Sequence, residues 1–437
     1  MIAWIKRIGY SKLIEIALLA AILYSVVWAY RFFQIYGFLP QPYFFDTNDT
    51  FMDWINVAQW SHVPGTYDQF ESVYPPLSFA FLRFLSPASC YVYDKFYARE
   101  CDWMFPWVMG FFYVLNAFLI FKCYLKNDRK TAWVRTLALI FGLPMLFGVE
   151  RGQLLIPTFT AFILAHGNIL RSARWKWLCA AITINFKLYL VLAIIPQFMR
   201  RRWVALEAIA ISTVAIYIVT YGIIEDGTLS QIIRNITNFN QTPEVIHFQN
   251  AYYQPTYQGI VLALNSAFPF MNYIGSNPIE FMLLVFPLLS WAGLAGIAAC
   301  YALAAWKPFA VPVRRLVALS VAAVITNSIA GGYTEILLFF LVFFEPWRGP
   351  ARIAALVAVY LLSISTDVPL ATWVTGTELS YLSGRIITWN VGLNLGELVR
   401  PGLVLVIEYA LIAQTLWDVW KARKPASPAL SAWLLPA

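Results

Sequence analysis

A row of polar side chains near the start of the chain has the spacing of one helix face. Asp46, Asp49, Asp53 and Asn56 follow one another at intervals of three, four and three residues, so a helix would present them together. A carboxylate in such a row can act as a general base, and several carboxylates can also bind a divalent cation. The alternative is structural: Asp46 caps the helix and Asp49 completes a capping box. Asp53 lies too far into the helix for capping.

Basic residues stand out in the apolar part of the chain. Lys187 lies at the centre of the apolar segment 177–199, where a charge costs roughly 2.5 to 3.5 kcal/mol on insertion scales. Arg151 follows Glu150 between two apolar runs. Lysine and arginine both neutralise phosphate groups, whereas the structural alternative for Arg151 is an ion pair with Glu150. Arg385 is a third candidate for binding phosphate.

A proline pair follows the acidic row, in the motif Tyr74-Pro75-Pro76-Leu77. Pro76 suits the first position of a helix, where its missing N–H costs nothing. The helix predicted from Pro76 to Leu85 is too short to cross a membrane, so we expect it to lie at the membrane interface.

The composition indicates a helical membrane protein. Of the 437 residues, 60% are hydrophobic and 12% are charged, against roughly 25% charged residues in a soluble domain. Apolar runs near the ~20 residues needed to cross a bilayer recur along the chain. The net charge of +8 belongs mostly to loops of the kind that face the cytoplasm, so it does not indicate nucleic-acid binding. We predict an all-α polytopic fold with a single integral-membrane domain over residues 1–437.

Basic loops set the predicted topology. Lysines and arginines mark cytoplasmic loops, and their positions put both chain ends in the cytoplasm. Long outer loops with interfacial helices are expected at about 34–102, 223–277 and 367–400. The ten predicted crossings are 13–33, 103–125, 132–147, 154–170, 203–221, 279–305, 316–330, 335–347, 353–366 and 401–420.

The segment 177–199 does not fit a simple crossing. Basic clusters at 171–176 and 200–202 flank it, and one crossing would put one of them outside, against the usual bias. Two half-helices of about 11 residues, at ~1.5 Å per residue, reach only halfway across the membrane. Such breaks occur where protein or a wet cavity satisfies the backbone. We therefore favour a re-entrant hairpin with Lys187 at its tip.

Several short motifs occur in an order that resembles the C-type (GT-C) membrane glycosyltransferases. The closer resemblance is to glycosyltransferase family 87, the polyprenyl-phosphate-mannose-dependent mannosyltransferases. The motifs are the acidic row, Gly65-Thr66-Tyr67, Tyr74-Pro75-Pro76-Leu77, Arg151-Gly152-Gln153 and Asn185-Phe186-Lys187-Leu188-Tyr189. The resemblance implies a GT-C-like fold, and it covers most of the chain in order.

The resemblance also implies roles for particular residues. The family's catalytic aspartate lies in the first outer loop, which by position is Asp49, with Asp53 second. We expect the donor phosphate to contact Lys187, Arg151 and Arg385. The side chains expected to bind substrate are Asn56, Tyr74, Gln153, Gln254, Tyr333 and Glu335.

One position departs from the family pattern. The family often has a turn with tryptophan or histidine near its last helices, and the matching place here is Gly331-Gly332-Tyr333-Thr334-Glu335, without histidine. Glu335 either substitutes for that histidine or caps a helix.

The three histidines are scattered along the chain, so we expect no histidine metal site. Cys90 and Cys101 share the first outer loop, where an oxidising compartment would allow them to pair.

These observations predict a glycosyltransferase that moves a sugar from a polyprenyl-phosphate donor to a lipid- or glycan-linked acceptor, with inversion. Mannose, another hexose or a pentose would fit. We expect no required cofactor, although a divalent cation would be compatible with the acidic row. Membrane lipids are expected as further partners. The resemblance implies a bacterial inner membrane with the site facing the periplasm. The alternatives are a lipid-linked sugar transporter or flippase and an O-antigen-type polymerase or ligase.

Overall fold

The architecture is built almost entirely from helices. A computed structural model describes residues 10–43, 47–238, 275–307, 310–327 and 331–422. Its α-helices are α1 (Tyr10–Tyr36), α2 (Met52–His62), α3 (Pro76–Leu85), α4 (Lys95–Cys101), α5 (Met104–Asn127), α6 (Ala132–Ile140), α7 (Leu143–Glu150), α8 (Leu155–His166), α9 (Ala173–Phe186), α10 (Ile195–Met199), α11 (Trp203–Ile224), α12 (Leu229–Asn238), α13 (Ser276–Trp306), α14 (Val313–Asn327), α15 (Glu335–Val342), α16 (Pro350–Leu362) and α17 (Leu395–Lys421). Short 3₁₀ helices cover Thr47–Asp49, Ala88–Tyr91, Leu188–Ile194 and Gly332–Thr334.

Long apolar helices mark this as a membrane protein. Within the described ranges, five helical segments are long and apolar enough to cross a bilayer: Tyr10–Tyr36, Met104–Asn127, Ala132–Glu150, Trp203–Ile224 and Glu280–Trp306. Many of their side chains point away from the protein. On α11, for example, Ile211 and Val219 are 70% and 63% exposed. Exposing such apolar side chains to water costs free energy, whereas contact with lipid tails does not.

The other predicted crossings correspond to shorter or more polar helices. α8 has 12 residues and α15 has eight, or about 18 and 12 Å at ~1.5 Å per residue, less than the ~30 Å hydrocarbon core. Every residue of α15 is buried, so this helix lies inside the protein. The total of ten crossings stays a prediction.

Residues 367–400, predicted as the third outer loop, contain a β-hairpin, which the all-α prediction missed. Strand β1 (Pro369–Leu379) pairs antiparallel with β2 (Ile386–Asn394), and Leu379 lies opposite Ile386 at the turn. Both strands are rich in threonine, valine and isoleucine, residues that suit a pleated surface. The prediction relied on apolar runs and therefore had no means of finding strands between them.

The chain breaks at Lys187 and turns back. Helix α9 ends at Phe186, Lys187 has an extended backbone, and the 3₁₀ helix Leu188–Ile194 follows. Trp177 before the break and Gln197 after it line one cavity. The two arms therefore return to the same end of the molecule.

Two predictions for residues 34–102 are confirmed. Helix α3 runs from Pro76 to Leu85 with a proline in its first turn, as expected. Cys90 and Cys101 form a disulfide, with their Cα atoms 5.4 Å apart. The bond ties a 3₁₀ turn to α4, beneath the loop that carries Asp49.

Candidate functional site

Asp49 and Asp53 lie on different elements, contrary to the single helix face predicted for them. Asp49 ends the 3₁₀ helix Thr47–Asp49, and α2 begins only at Met52. Phe51 separates them in the left-handed conformation, with φ of 66°. The predicted capping box is therefore wrong for Asp49, and Asp46 lies outside the described residues.

The end of α7 supplies the contacts that a capping box would have made. The backbone N–H of Phe51 donates to the carbonyl of Glu150 at 2.9 Å, and that of Asp53 donates to Arg151 at 3.1 Å. These bonds satisfy amides that the start of α2 would otherwise leave unpaired. They also place the side chain of Arg151 between the two aspartates.

Arg151 joins the two carboxylates through its guanidinium. Its Nη1 contacts Asp49 Oδ2, and its Nη2 lies 3.0 Å from Asp53 Oδ1. Burial lowers the pKa of Arg151, but the charges of Asp53, Asp49 and Glu150 outweigh burial and hold that pKa well above its ordinary value. The structural alternative for Arg151, an ion pair, therefore forms, but with Asp49 and Asp53 and not with Glu150. Glu150 accepts instead from Thr50 Oγ1 at 3.4 Å.

Gly152 makes the turn after α7 possible. Its φ is +67°, and a Cβ there would lie 2.9 Å from the carbonyl oxygen of Phe51 and 3.1 Å from Trp54 Cβ. A side chain at this position would strain the backbone and separate α2 from the turn. Glycine therefore lets Arg151 and Gln153 reach the carboxylates from close range.

Gln153 links the carboxylates to Lys187. Its Nε2 donates to Asp53 Oδ2, and its Oε1 accepts from Lys187 Nζ at 3.4 Å. Lys187 Nζ also donates to the hydroxyl of Tyr74 at 3.0 Å and lies 4.2 Å from the centre of its ring. In the described ranges no carboxylate is within ion-pair distance of Lys187.

Tyr74 is held in place by the motif that precedes it. The hydroxyl of Tyr67 donates to the carbonyl of Tyr74 at 2.9 Å. Asp226 accepts from the amides of Gly65 and Thr66 at 2.9 and 2.7 Å, which anchors the turn before Tyr67. Burial and the charge of Asp53 raise the pKa of Tyr74, so its phenol stays protonated.

The β-hairpin and α4 support the loop that carries Asp49. They do so through Glu378, Arg99 and Tyr381, which were not among the predicted site residues. Glu378 on β1 accepts from the amide of Thr47 and from its hydroxyl, at 3.1 and 3.2 Å. Arg99 on α4 donates to the carbonyl of Asn48 at 2.7 Å and stacks on Tyr381 at 3.6 Å. A charged residue in a strand or a surface helix gives no local signal of such a distant contact.

The remaining predicted residues are not brought into this cluster to the same degree. Asn56 is one turn beyond Asp53 on α2 and half-buried. Tyr333 stacks on Phe147 of α7, with 6.0 Å between ring centres. Glu335 begins α15 and is fully buried, and Arg385 donates to the carbonyl of Gln34 at 3.2 Å. Gln254 lies outside the described residues.

No group of three or more histidine, cysteine, aspartate or glutamate side chains is arranged to bind a metal ion within the described ranges. The aspartates instead share Arg151, which already balances much of their charge.

No protein-family model, curated protein or solved structure matches the chain. Any functional assignment therefore depends on the chemistry of this cluster.

The cluster unites residues far apart in the chain. Arg151 contacts Asp49 across 102 positions, and Lys187 contacts Tyr74 across 113. It offers carboxylate oxygens that can accept a proton and, a few ångströms away, an ammonium group that can receive an anion. These two functions together suit a reaction in which a hydroxyl loses a proton and a phosphate departs.

Proposed function

We propose that this protein is a membrane glycosyltransferase that uses a polyprenyl-phosphate sugar as donor. The observation that carries the proposal is the link from Asp53 through Gln153 to Lys187. It connects a pair of carboxylates to a lysine whose hydrogen-bond partners among the described residues, Tyr74 and Gln153, are neutral. A phosphate would supply the missing negative charge.

Asp49 is the proposed general base. Asp53 accepts from Arg151 and Gln153 on both carboxylate oxygens, so its role is to position its neighbours. Arg151 is likewise assigned a positioning role, because its guanidinium is already bound by the two aspartates. Lys187 remains the donor-phosphate ligand.

The proposed reaction is a direct displacement. The carboxylate of Asp49 takes the proton of the acceptor hydroxyl while that oxygen forms a bond to the anomeric carbon. The bond between the anomeric carbon and the phosphate oxygen breaks, and polyprenyl phosphate leaves with the bonding electrons. Lys187 stabilises the charge that develops on the leaving phosphate. Because attack and departure occur on opposite faces, the anomeric configuration inverts.

The membrane arrangement that we propose follows from the break at Lys187. A re-entrant hairpin, α9 followed by the 3₁₀ helix and α10, would bring Lys187 to the depth where a lipid phosphate enters from the outer leaflet. Ten crossings would put Asp49 and Arg151 on the same, non-cytoplasmic side. The Cys90–Cys101 disulfide supports an oxidising compartment for that loop.

A donor panel tests this function. Purified protein in detergent would receive a glycolipid extract as acceptor and one radiolabelled donor at a time: polyprenyl-phosphate mannose, a polyprenyl-diphosphate sugar or a nucleotide sugar. We expect transfer from the monophosphate donor only, and its loss in Asp49→Asn/Asp53→Asn. Transfer from the diphosphate donor alone would instead assign a polymerase or ligase.

A further inference from the structure

A second cluster of positive charge lies at the opposite end of the hairpin from Lys187. A cavity of about 840 Å³ opens between the two hairpin arms, the start of α11 and the start of α14. Five of its lining residues are cationic and none is acidic: Arg171, Lys176, Arg201, Arg202 and Arg314. Eleven residues separate Lys176 from Lys187, or about 16 Å along a helix, so this cavity is distinct from the carboxylate cluster.

These cations lack the partners that arginines elsewhere in the protein have. Arg315, next in sequence to Arg314, lies 2.7 Å from Glu345, and Arg135 lies 2.8 Å from Glu15. None of the five cavity cations forms an ion pair in the described part of the chain. The charge of Glu345 acts on Arg314, but Glu345 already pairs with Arg315 and Arg352. A group of like charges that shares so little counter-charge favours the binding of an anion.

Arg314 presents a buried donor to this part of the protein. Its Nη1 is buried and has no hydrogen-bond acceptor in the part of the chain that the structure describes, while its guanidinium lies 4.1 Å from the ring centre of Phe344. Buried donors are nearly always satisfied in folded proteins.

The surroundings favour a lipid over a free anion. Trp177, Ile194 and Val317 form apolar parts of the lining. At the rim, Trp203 and Val204 are 53% and 68% exposed and begin the long apolar helix α11. Tryptophan is typical of the membrane interface, so acyl chains could lie along α11 while a headgroup enters the cavity.

We propose that this cavity binds the phosphate of an anionic membrane phospholipid. The phosphodiester contacts Lys176 and Arg314 inside the cavity, and the exposed cations of Arg171 and Arg202 attract it at the rim. Such a lipid would join the two hairpin arms to α11 and α14. The proposal does not depend on the glycosyltransferase assignment.

Lipid binding to the full-length protein in detergent tests the proposal. The probes are phosphatidylglycerol, phosphatidylcholine with the same acyl chains, and inorganic phosphate, measured by native mass spectrometry and by the shift in Tm. We expect phosphatidylglycerol to bind at least about tenfold more tightly than phosphatidylcholine, a difference of about 1.4 kcal/mol. Both lipids present the phosphodiester, but the quaternary ammonium of phosphatidylcholine adds a positive charge beside the cavity cations. Lys176→Gln/Arg314→Gln should abolish this preference.

Two further variants complete the design. Arg174→Gln/Lys130→Gln changes the same charge at exposed residues outside the lining and should keep the preference. Arg171→Gln/Arg202→Gln changes only exposed rim residues, so it should fold normally and weaken phosphatidylglycerol binding several-fold. Equal affinity for both lipids, or an unchanged preference in both cavity variants, would overturn the proposal. An equal Tm shift with inorganic phosphate would assign a free-anion site instead.

Discussion

Asp49 and Asp53 share one guanidinium, yet their surroundings differ. Asp53 lies in the first turn of α2 and accepts three hydrogen bonds from Arg151 and Gln153. Asp49 belongs to a short 3₁₀ turn held from outside by Glu378 and Arg99. Both carboxylates pair with Arg151, so what distinguishes Asp49 is a position set by residues of another helix and of the β-hairpin.

The first prediction concerns the order of two substitutions. Asp49→Asn keeps the shape of the side chain but removes its ability to take a proton at neutral pH. We expect sugar transfer to fall by a factor of about 10² to 10⁴, the usual range for a general base. Asp53→Asn should cost less, because an amide oxygen can still accept from Gln153. Transfer would be measured in membranes with matched protein levels.

The outcome of that comparison distinguishes three mechanisms. Near-normal transfer in Asp49→Asn with loss in Asp53→Asn would assign the base to Asp53. Normal transfer in both variants would remove the carboxylates from the reaction and leave them as structural partners of Arg151.

The second prediction separates Lys187 from Arg385, which the sequence analysis grouped together. Lys187→Gln should raise the KM for the polyprenyl-phosphate donor at least tenfold, because a charge-assisted contact contributes about 1.5 to 3 kcal/mol. Arg385→Gln is the control and should leave KM within about twofold, since Arg385 contacts the carbonyl of Gln34. Steady-state kinetics with varied donor would check both. An unchanged KM in Lys187→Gln would contradict its phosphate role.

At the scale of elements, the turn between α7 and α8 is the most constrained part of the cluster. Gly152 combines a positive φ with close contact to Phe51, whereas Gly384 has φ of +65° and open space around its Cα. Alanine at Gly384 would therefore introduce backbone strain alone, whereas alanine at Gly152 would introduce both strain and a steric clash.

The third prediction uses this pair. Gly384→Ala should cost about 1 kcal/mol of stability from its backbone alone. Gly152→Ala should lower Tm clearly more and also abolish sugar transfer, because the added methyl group displaces Phe51 and the turn that presents Arg151. Thermal unfolding in detergent and the transfer assay would be compared. Equal Tm values for both variants would mean that α2 can shift away from the added methyl group without loss of stability, contrary to the prediction.

The fourth prediction tests whether the arms of the hairpin begin and end on one side of the membrane. Single cysteines replacing Arg174 and Arg202, in a background without native cysteines, should both resist a membrane-impermeant thiol reagent applied from outside. The expectation follows from the cavity that residues of both arms line. A cysteine replacing the exposed Glu71 in the first outer loop is the control for labelling. Reaction at only one of the two arginine positions would refute the re-entrant hairpin.

At the scale of the whole molecule, charge is divided between two ends. One end contains the carboxylate cluster and the disulfide, and the other contains the unpaired cations around the cavity. Long helices such as α5 and α11 connect them through an apolar middle. This separation supports the proposed topology, with the disulfide on the non-cytoplasmic side and the cations on the other.

The fifth prediction follows from that division. Protein isolated with alkylating reagent under denaturing, non-reducing conditions should yield a linked pair of peptides containing Cys90 and Cys101. The other cysteines, Cys123, Cys179 and Cys300, are buried and free, so each should be alkylated. Mass spectrometry decides the matter. Five alkylated cysteines would place the loop in a reducing compartment.

The sequence by itself determined the features that depend on local chemistry. The apolar length of α1, α5 and α11 requires a membrane, and a proline starts α3 at the expected residue. The charge of Lys187 within an apolar segment marked the point where α9 ends. Each of these follows from neighbouring residues, because hydropathy, proline geometry and desolvation act over a few positions.

Tertiary structure alone decided which charges meet. The sequence predicted one helix face for Asp49 and Asp53, which is wrong. It named Glu150 as an example of an ion-pair partner for Arg151, whereas the ion pairs form with the two aspartates. The actual partners are about a hundred positions apart, and Glu378 reaches the Asp49 loop from a β-hairpin that apolar runs could not reveal. Side-chain spacing describes one helix face, but an ion pair forms wherever packing brings opposite charges together away from water.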